Sequence, residues 1–206
     1  MSNEKVLTTK ETFDLAVKNH QKNNIKEAQN LYNKILGIDP NYVNAHNNLG
    51  VIFQGLREYQ KAKECYEKAI KINPNYADAY YNLGVIFKEL KEYQKAKECF
   101  EKTIKINPNY VNAHNNLGTI FIGLKEYQKA KEYYEKAIEI NPNLASAHWG
   151  SHGQSSNIDE ALLILKKLYK IDNKHIKAKI MIGALEGYKG NFNYFFITLF
   201  CFLIFS

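Results

Sequence analysis

Histidine, cysteine and asparagine are the residues of this 206-residue chain whose types and spacing could do chemistry. His46, His114 and His148 stand at one repeating position, which Tyr80 fills in another copy. A position that takes imidazole and phenol alternately asks for a half-buried ring, not for a metal ligand. His148 and His152 are four apart, as two ligands on one helix face would be. The Trp-Gly-Ser between them lacks the glutamate of a zinc-protease helix, and its glycine weakens the helix, so no metal site is expected. Cys65 and Cys99 occupy equivalent places in consecutive copies, about a helix diameter apart and beyond the ~7 Å that a disulfide can bridge. They read as partly buried helix residues. No serine or cysteine nucleophile comes with a partner, and neither phosphate-binding glycine motif is present. The expectation is a non-enzyme without a cofactor.

The amides are the stronger signal. Asn48, Asn82 and Asn116 recur every 34 residues, each just before a Leu-Gly pair, with Asn44, Asn47, Asn112 and Asn115 beside them. An amide offers both a donor and an acceptor. A ladder of amides at fixed spacing can therefore pair with the backbone of an extended peptide, whatever its sequence. Tyr81 and Trp149 could add aromatic contact area. The competing reading is coding bias: an A+T-rich gene favours asparagine as it favours lysine, isoleucine, phenylalanine and tyrosine.

The elements that must position these residues are set by a 34-residue beat. Pro40, Pro74, Pro108 and Pro142 mark it, and near-identical copies begin at Val43, Ala77 and Val111. In the first, Ala45, Leu49, Phe53, Leu56 and Tyr59 form one apolar series. Ala62, Tyr66, Ala69, Ile70 and Ile72 form a second. Both keep the three-to-four spacing of amphipathic helices. Pro74 ends the second helix, because the residue before proline avoids the helical region. Gly50, Gly84 and Gly118, with Ala62, Ala96 and Ala130, are expected where helices approach closely. Tyr66, Phe100 and Tyr134 are expected to fill the space between neighbouring hairpins. Glu64–Lys68, Glu67–Lys71 and Glu98–Lys102 are expected as ion pairs on the outer face, each contributing about 0.2–0.5 kcal/mol. A diverged copy over 9–42 comes first, with Thr8 and Glu11 as a capping box. Copies over 43–76, 77–110 and 111–144 follow a lead of residues 1–8.

Beyond Pro142 the beat slips. Residues 145–175 read as a pair shortened by three, with Asn157 and Glu160 as a second capping box and Asn173 where proline should stand. Residues 176–192 supply a partial sixth copy, and 193–206 an uncharged hydrophobic tail. The run from Tyr194 to Phe205 would span roughly 18 Å as a helix, against about 30 Å of hydrocarbon. Membrane association, burial against a partner or second copy, and the end of an interrupted reading frame are its three readings.

The formal net charge of +7 comes almost wholly from lysine, Arg57 being the single arginine. The lysines interleave with glutamates, so nucleic acid is not an expected partner. Unpaired cysteines and an N-terminus without an apolar run lead us to expect a cytoplasmic chain with no cleaved signal peptide. Association with a membrane by the tail is the alternative.

The residues Leu49-Gly50, Phe53, Tyr59, Ala62, Tyr66, Ala69 and Pro74, repeated in the next two copies, resemble the tetratricopeptide repeat family. Arg57, Lys91 and Lys125 stand where that family often has glycine. The resemblance implies an all-α fold: a right-handed α-solenoid of stacked antiparallel helix pairs whose first helices line a concave groove. It implies a non-catalytic scaffold that binds extended segments of other proteins through Asn44, Asn47, Asn48, Tyr81, Asn82, Asn112, Asn115 and Asn116. The asparagine series also resembles the array in the repeats of protein O-GlcNAc transferases. The family's clamp for C-terminal carboxylates needs basic residues that this groove lacks. A truncated, substrate-recruiting half of a transferase and a membrane-associated assembly factor remain as alternatives.

Overall fold

Among the residues that the computed structural model describes, eight α-helices follow one another: α1 (Thr9–Gln21), α2 (Ile25–Ile38), α3 (Val43–Gly55), α4 (Tyr59–Ile72), α5 (Ala77–Glu89), α6 (Tyr93–Ile106), α7 (Val111–Gly123) and α8 (Tyr127–Ile140). The structure describes residues 7–144 and the single positions 147, 163, 166, 170 and 171. His148, Trp149, His152, the second capping box, the partial sixth copy and the tail lie outside the described residues. The chain divides into two compact units, Met1–Ala113 and His114–Ser206. The first holds α1 to α6 and the start of α7. The second holds the rest of α7, and α8.

Each helix exists because its apolar residues fall on one side. Ala62, Tyr66 and Ala69 of α4 are fully buried at successive turns, while lysines and glutamates cover the opposite face. Helix α1 starts at the expected capping box: the Thr8 amide donates to Glu11 Oε2 at 2.8 Å, and the Glu11 amide to Thr8 Oγ1 at 3.2 Å. Within the first unit α1 packs on α2, α3 on α4 and α5 on α6, and α2 and α4 each pack on the first helix of the following pair. The fold is an all-α solenoid of helix pairs, in which burial is shared only between neighbours.

Two turns alternate. After each second helix, an Asx turn joins the pairs: the Asn75 amide donates to Asn73 Oδ1 at 3.0 Å, beside Pro74. Inside each pair the turn is left-handed. Arg57, Lys91 and Lys125 hold φ at 60–61°, as does Asn23. The Arg57 and Glu58 amides close back on the Gln54 and Phe53 carbonyls at 2.9 and 2.8 Å, capping α3 as a Schellman motif. Leu56 caps that helix and is 48% exposed, so it does not extend the buried series of α3.

Two packing expectations are corrected. Tyr66, Phe100 and Tyr134 press on the glycine of their own pair. A Cβ at Gly50 would lie 2.5 Å from the Tyr66 ring, and one at Gly118 would lie 2.7 Å from Tyr134. The ring thus sets the distance between the two helices of one hairpin. The outer ion pairs also differ from those expected. Glu64 and Glu98 accept hydrogen bonds from Gln60 and Gln94, while Glu67 and Glu101 pair with Lys63 and Lys97 at 3.8 Å. Residues one turn earlier reach those carboxylates first. Glu58–Lys61 at 2.5 Å and Glu92–Lys95 pair one turn apart as well.

Candidate functional site

The first helices carry the candidate amides, and their environments differ. Asn44 and Asn112 are exposed, Asn48, Tyr81, Asn82 and Asn115 are half-buried, and Asn47 and Asn116 are buried. In the first unit three of them join one hydrogen-bonded relay. Asn82 Nδ2 of α5 donates to Asn47 Oδ1 of α3 at 3.1 Å. Asn47 Nδ2 donates to Asn48 Oδ1 at 3.3 Å, and Asn48 Nδ2 donates to Tyr32 Oη of α2 at 3.1 Å. Burial raises the Tyr32 phenol, and the Asn48 bond partly offsets that. Asn47 therefore ties consecutive hairpins together. Asn48 and Asn82 take part in the relay but keep one amide N–H and further acceptor capacity each.

In the second unit Asn115 occupies the place of Asn47. Its Oδ1 is buried, with no hydrogen-bond partner among the described residues.

Beside the amides lies an aromatic group that the sequence reading did not assemble. Tyr110, from the turn after α6, donates its hydroxyl to Asp78 Oδ1 at 2.9 Å. Its ring centroid is 4.9 Å from that of Tyr81, which also lies 5.7 Å from Phe100. Tyr76 donates to Asn44 Oδ1 at 3.0 Å. Both phenols are pushed above the usual tyrosine range. For Tyr110 burial comes first, then the bond to Asp78 and its charge, then Tyr81 and Tyr76. For Tyr76 the causes are burial and the Asp78 charge. A sequence clue existed: Asp78 and Tyr81 are the residues of their repeat that replace asparagine at two of the candidate positions.

The histidines behave as packing residues. His46 is 8% exposed and donates from Nε2 to the Pro40 carbonyl at 2.9 Å. His114 is 5% exposed. Burial raises the Cys65 thiol to about 11 and, with Glu98 and Glu67, the Cys99 thiol to about 12. These are protonated, weakly nucleophilic thiols at neutral pH. Among the described residues no three His, Cys, Asp or Glu side chains gather as a metal site requires. Among them, too, no helix is long and apolar enough to cross a membrane.

Paired helices at a fixed beat, with polar and aromatic side chains on the first helices, define a helical-repeat protein. The family model described as tetratricopeptide repeat matches residues 43–76, 77–110 and 111–144, and these segments are tetratricopeptide repeats. Among solved structures, the chain is similar to MamA at 29% identity and a TM-score of 0.67, over 79% of this chain and 96% of that one. YrrB, described as a TPR protein with an unusual peptide-binding site, shares 21% identity at a TM-score of 0.67, over 84% and 91% of the two chains. PilF of Pseudomonas aeruginosa shares 23% identity at a TM-score of 0.67, over 89% and 93%. The last two likenesses concern the fold. No curated protein matches the chain.

Proposed function

We propose that this chain is a non-catalytic scaffold that binds extended segments of other proteins along its first helices. The observation that carries this reading is the amide at one register of α3, α5 and α7, at Asn48, Asn82 and Asn116. Asn48 and Asn82 have hydrogen-bonding capacity left after the relay is satisfied, enough to meet a peptide N–H and C=O. Exposed Asn44 and Asn112 and half-buried Asn115 and Tyr81 extend the polar surface beside them. YrrB is an instance of this fold that carries a peptide-binding site. The asparagine array also resembles that of protein O-GlcNAc transferase repeats. Unpaired Cys65 and Cys99 fit a reducing compartment such as the cytoplasm.

The test replaces Asn48, Asn82 and Asn116 together by alanine. The relay bonds lost from Asn48 and Asn82 contribute about 0.5–1.5 kcal/mol each, so circular dichroism should still show a folded, slightly less stable chain. Capture of peptides from a random display library should fall at least tenfold. Undiminished capture by the folded variant would reject the amide ladder as the binding element.

A further inference from the structure

Among the positions at which α5 departs from both neighbouring repeats, two that replace asparagine fall on one face. Asp78 stands where the flanking repeats have Asn44 and Asn112, and Tyr81 where they have Asn47 and Asn115. Three residues apart on a helix, the two side chains are neighbours. Tyr110 closes the group, bonded to Asp78 Oδ1 at 2.9 Å and lying 4.9 Å from the Tyr81 ring between centroids. Tyr76 approaches from the preceding turn. The Asp78 side chain is exposed, and Oδ2 is left without a hydrogen bond or ion pair among the described residues.

We propose that Asp78, Tyr81 and Tyr110 form a receptor for the cationic side chain, lysine or arginine, of a peptide bound along the first helices. The proposal rests on the groove reading and names what the groove selects. A carboxylate oxygen with an unused acceptor sits beside tyrosine rings whose faces attract cations. The packing does not require that charge. Tyr76 makes the same tie to Asn44 that Tyr110 makes to Asp78, across 32 residues in each case, and there a neutral amide suffices. The carboxylate adds only negative charge and a second free oxygen, and Tyr81 adds an aromatic face in place of an amide. Those two additions together are what a basic side chain requires and what a neutral backbone does not.

Because asparagine holds both positions in the flanking repeats, Asp78→Asn and Tyr81→Asn are variants that the fold already accommodates. Random decapeptides displayed on phage are panned against the full chain and against each variant, with circular dichroism as the check on folding. The wild-type chain should enrich lysine or arginine at one peptide position. The Asp78→Asn variant should still select peptides while losing that enrichment, and Tyr81→Asn should lose the enrichment as well. Replacing the basic residue of the best peptide by norleucine should weaken wild-type binding about three- to tenfold and leave binding to D78N unchanged. Wild-type selections without a basic residue, or an enrichment that D78N retains, would overturn the cation receptor and leave the groove reading standing. A wild-type chain that selects no peptide would overturn both.

Discussion

Lys91 holds φ at 61°, a conformation in which its Cβ crowds the following carbonyl. Arg57 and Lys125 do the same in two other copies, as does Asn23 in the first, so the conformation recurs four times among the described residues. The sequence shows only that charged residues stand where related repeats often have glycine. That the position is left-handed comes from the Schellman closure, in which the amides of Lys91 and Glu92 return to Lys88 and Phe87. Replacing Lys91 by glycine relieves the crowding but loosens the unfolded chain. We expect a net gain of about 0.5–1 kcal/mol, read as a higher urea midpoint at unchanged slope. A lower midpoint would mean that the lysine side chain contributes more than its backbone costs. Thr103 makes a related point about local satisfaction: fully buried in the place of Ala69 and Ala137, it donates its hydroxyl to the Cys99 carbonyl at 2.9 Å.

The hairpin is closed by a ring against a glycine. A methyl group at Gly84 would meet the Phe100 ring at 2.8 Å and Cys99 Cβ at 3.1 Å. Phe100 is fully buried and cannot swing away, so Gly84→Ala should force α5 and α6 apart. Overpacking of this kind costs about 1–3 kcal/mol, and alanine's better helix propensity returns up to about 1. A net loss of about 1–2 kcal/mol in urea unfolding is the expected outcome, and an unchanged midpoint would show that the pair can open without cost. Ala16 occupies this position in the first hairpin over Tyr32, which shows that a hairpin built with the methyl from the outset can accommodate it. Helix pairs and their spacing were legible in the sequence because a 3.6-residue period repeats without interruption. Partner choice was not: periodicity places Tyr66 on the buried face of α4 without saying whether Gly50 or the next pair receives it. The same limit hid the ion pairs, where Gln60 and Lys63 take carboxylates that spacing alone assigns to Lys68 and Lys71.

Across the whole molecule, the buried thiols and phenols make stability depend on alkaline pH. Burial raises Cys65 to about 11 and Cys99 to about 12 from a usual value of 9.0, and it also lifts Tyr32, Tyr66, Tyr76, Tyr110 and Tyr134 from 10.0. Between pH 9 and about 11–12 the unfolded chain releases protons that the folded chain retains, so stability falls as pH rises through that window and is unaffected below it. The urea midpoint should stay level from pH 7 to pH 9 and then decline. A midpoint still level at pH 11 would contradict the burial of these groups. The sequence by itself determined the helix pairs, their 34-residue repeat, the turn at each proline and the recurrence of asparagine on the first helices. All of these are local or periodic, set by side-chain spacing and by what proline and Asx residues do to the backbone next to them. Only the tertiary structure decided that Asn47 is a tie between hairpins, and that Tyr110 meets Asp78 and Tyr81 across about thirty residues. Those contacts depend on how one pair seats on the next, a relation between rotations and distances of packed helices that no single repeat encodes.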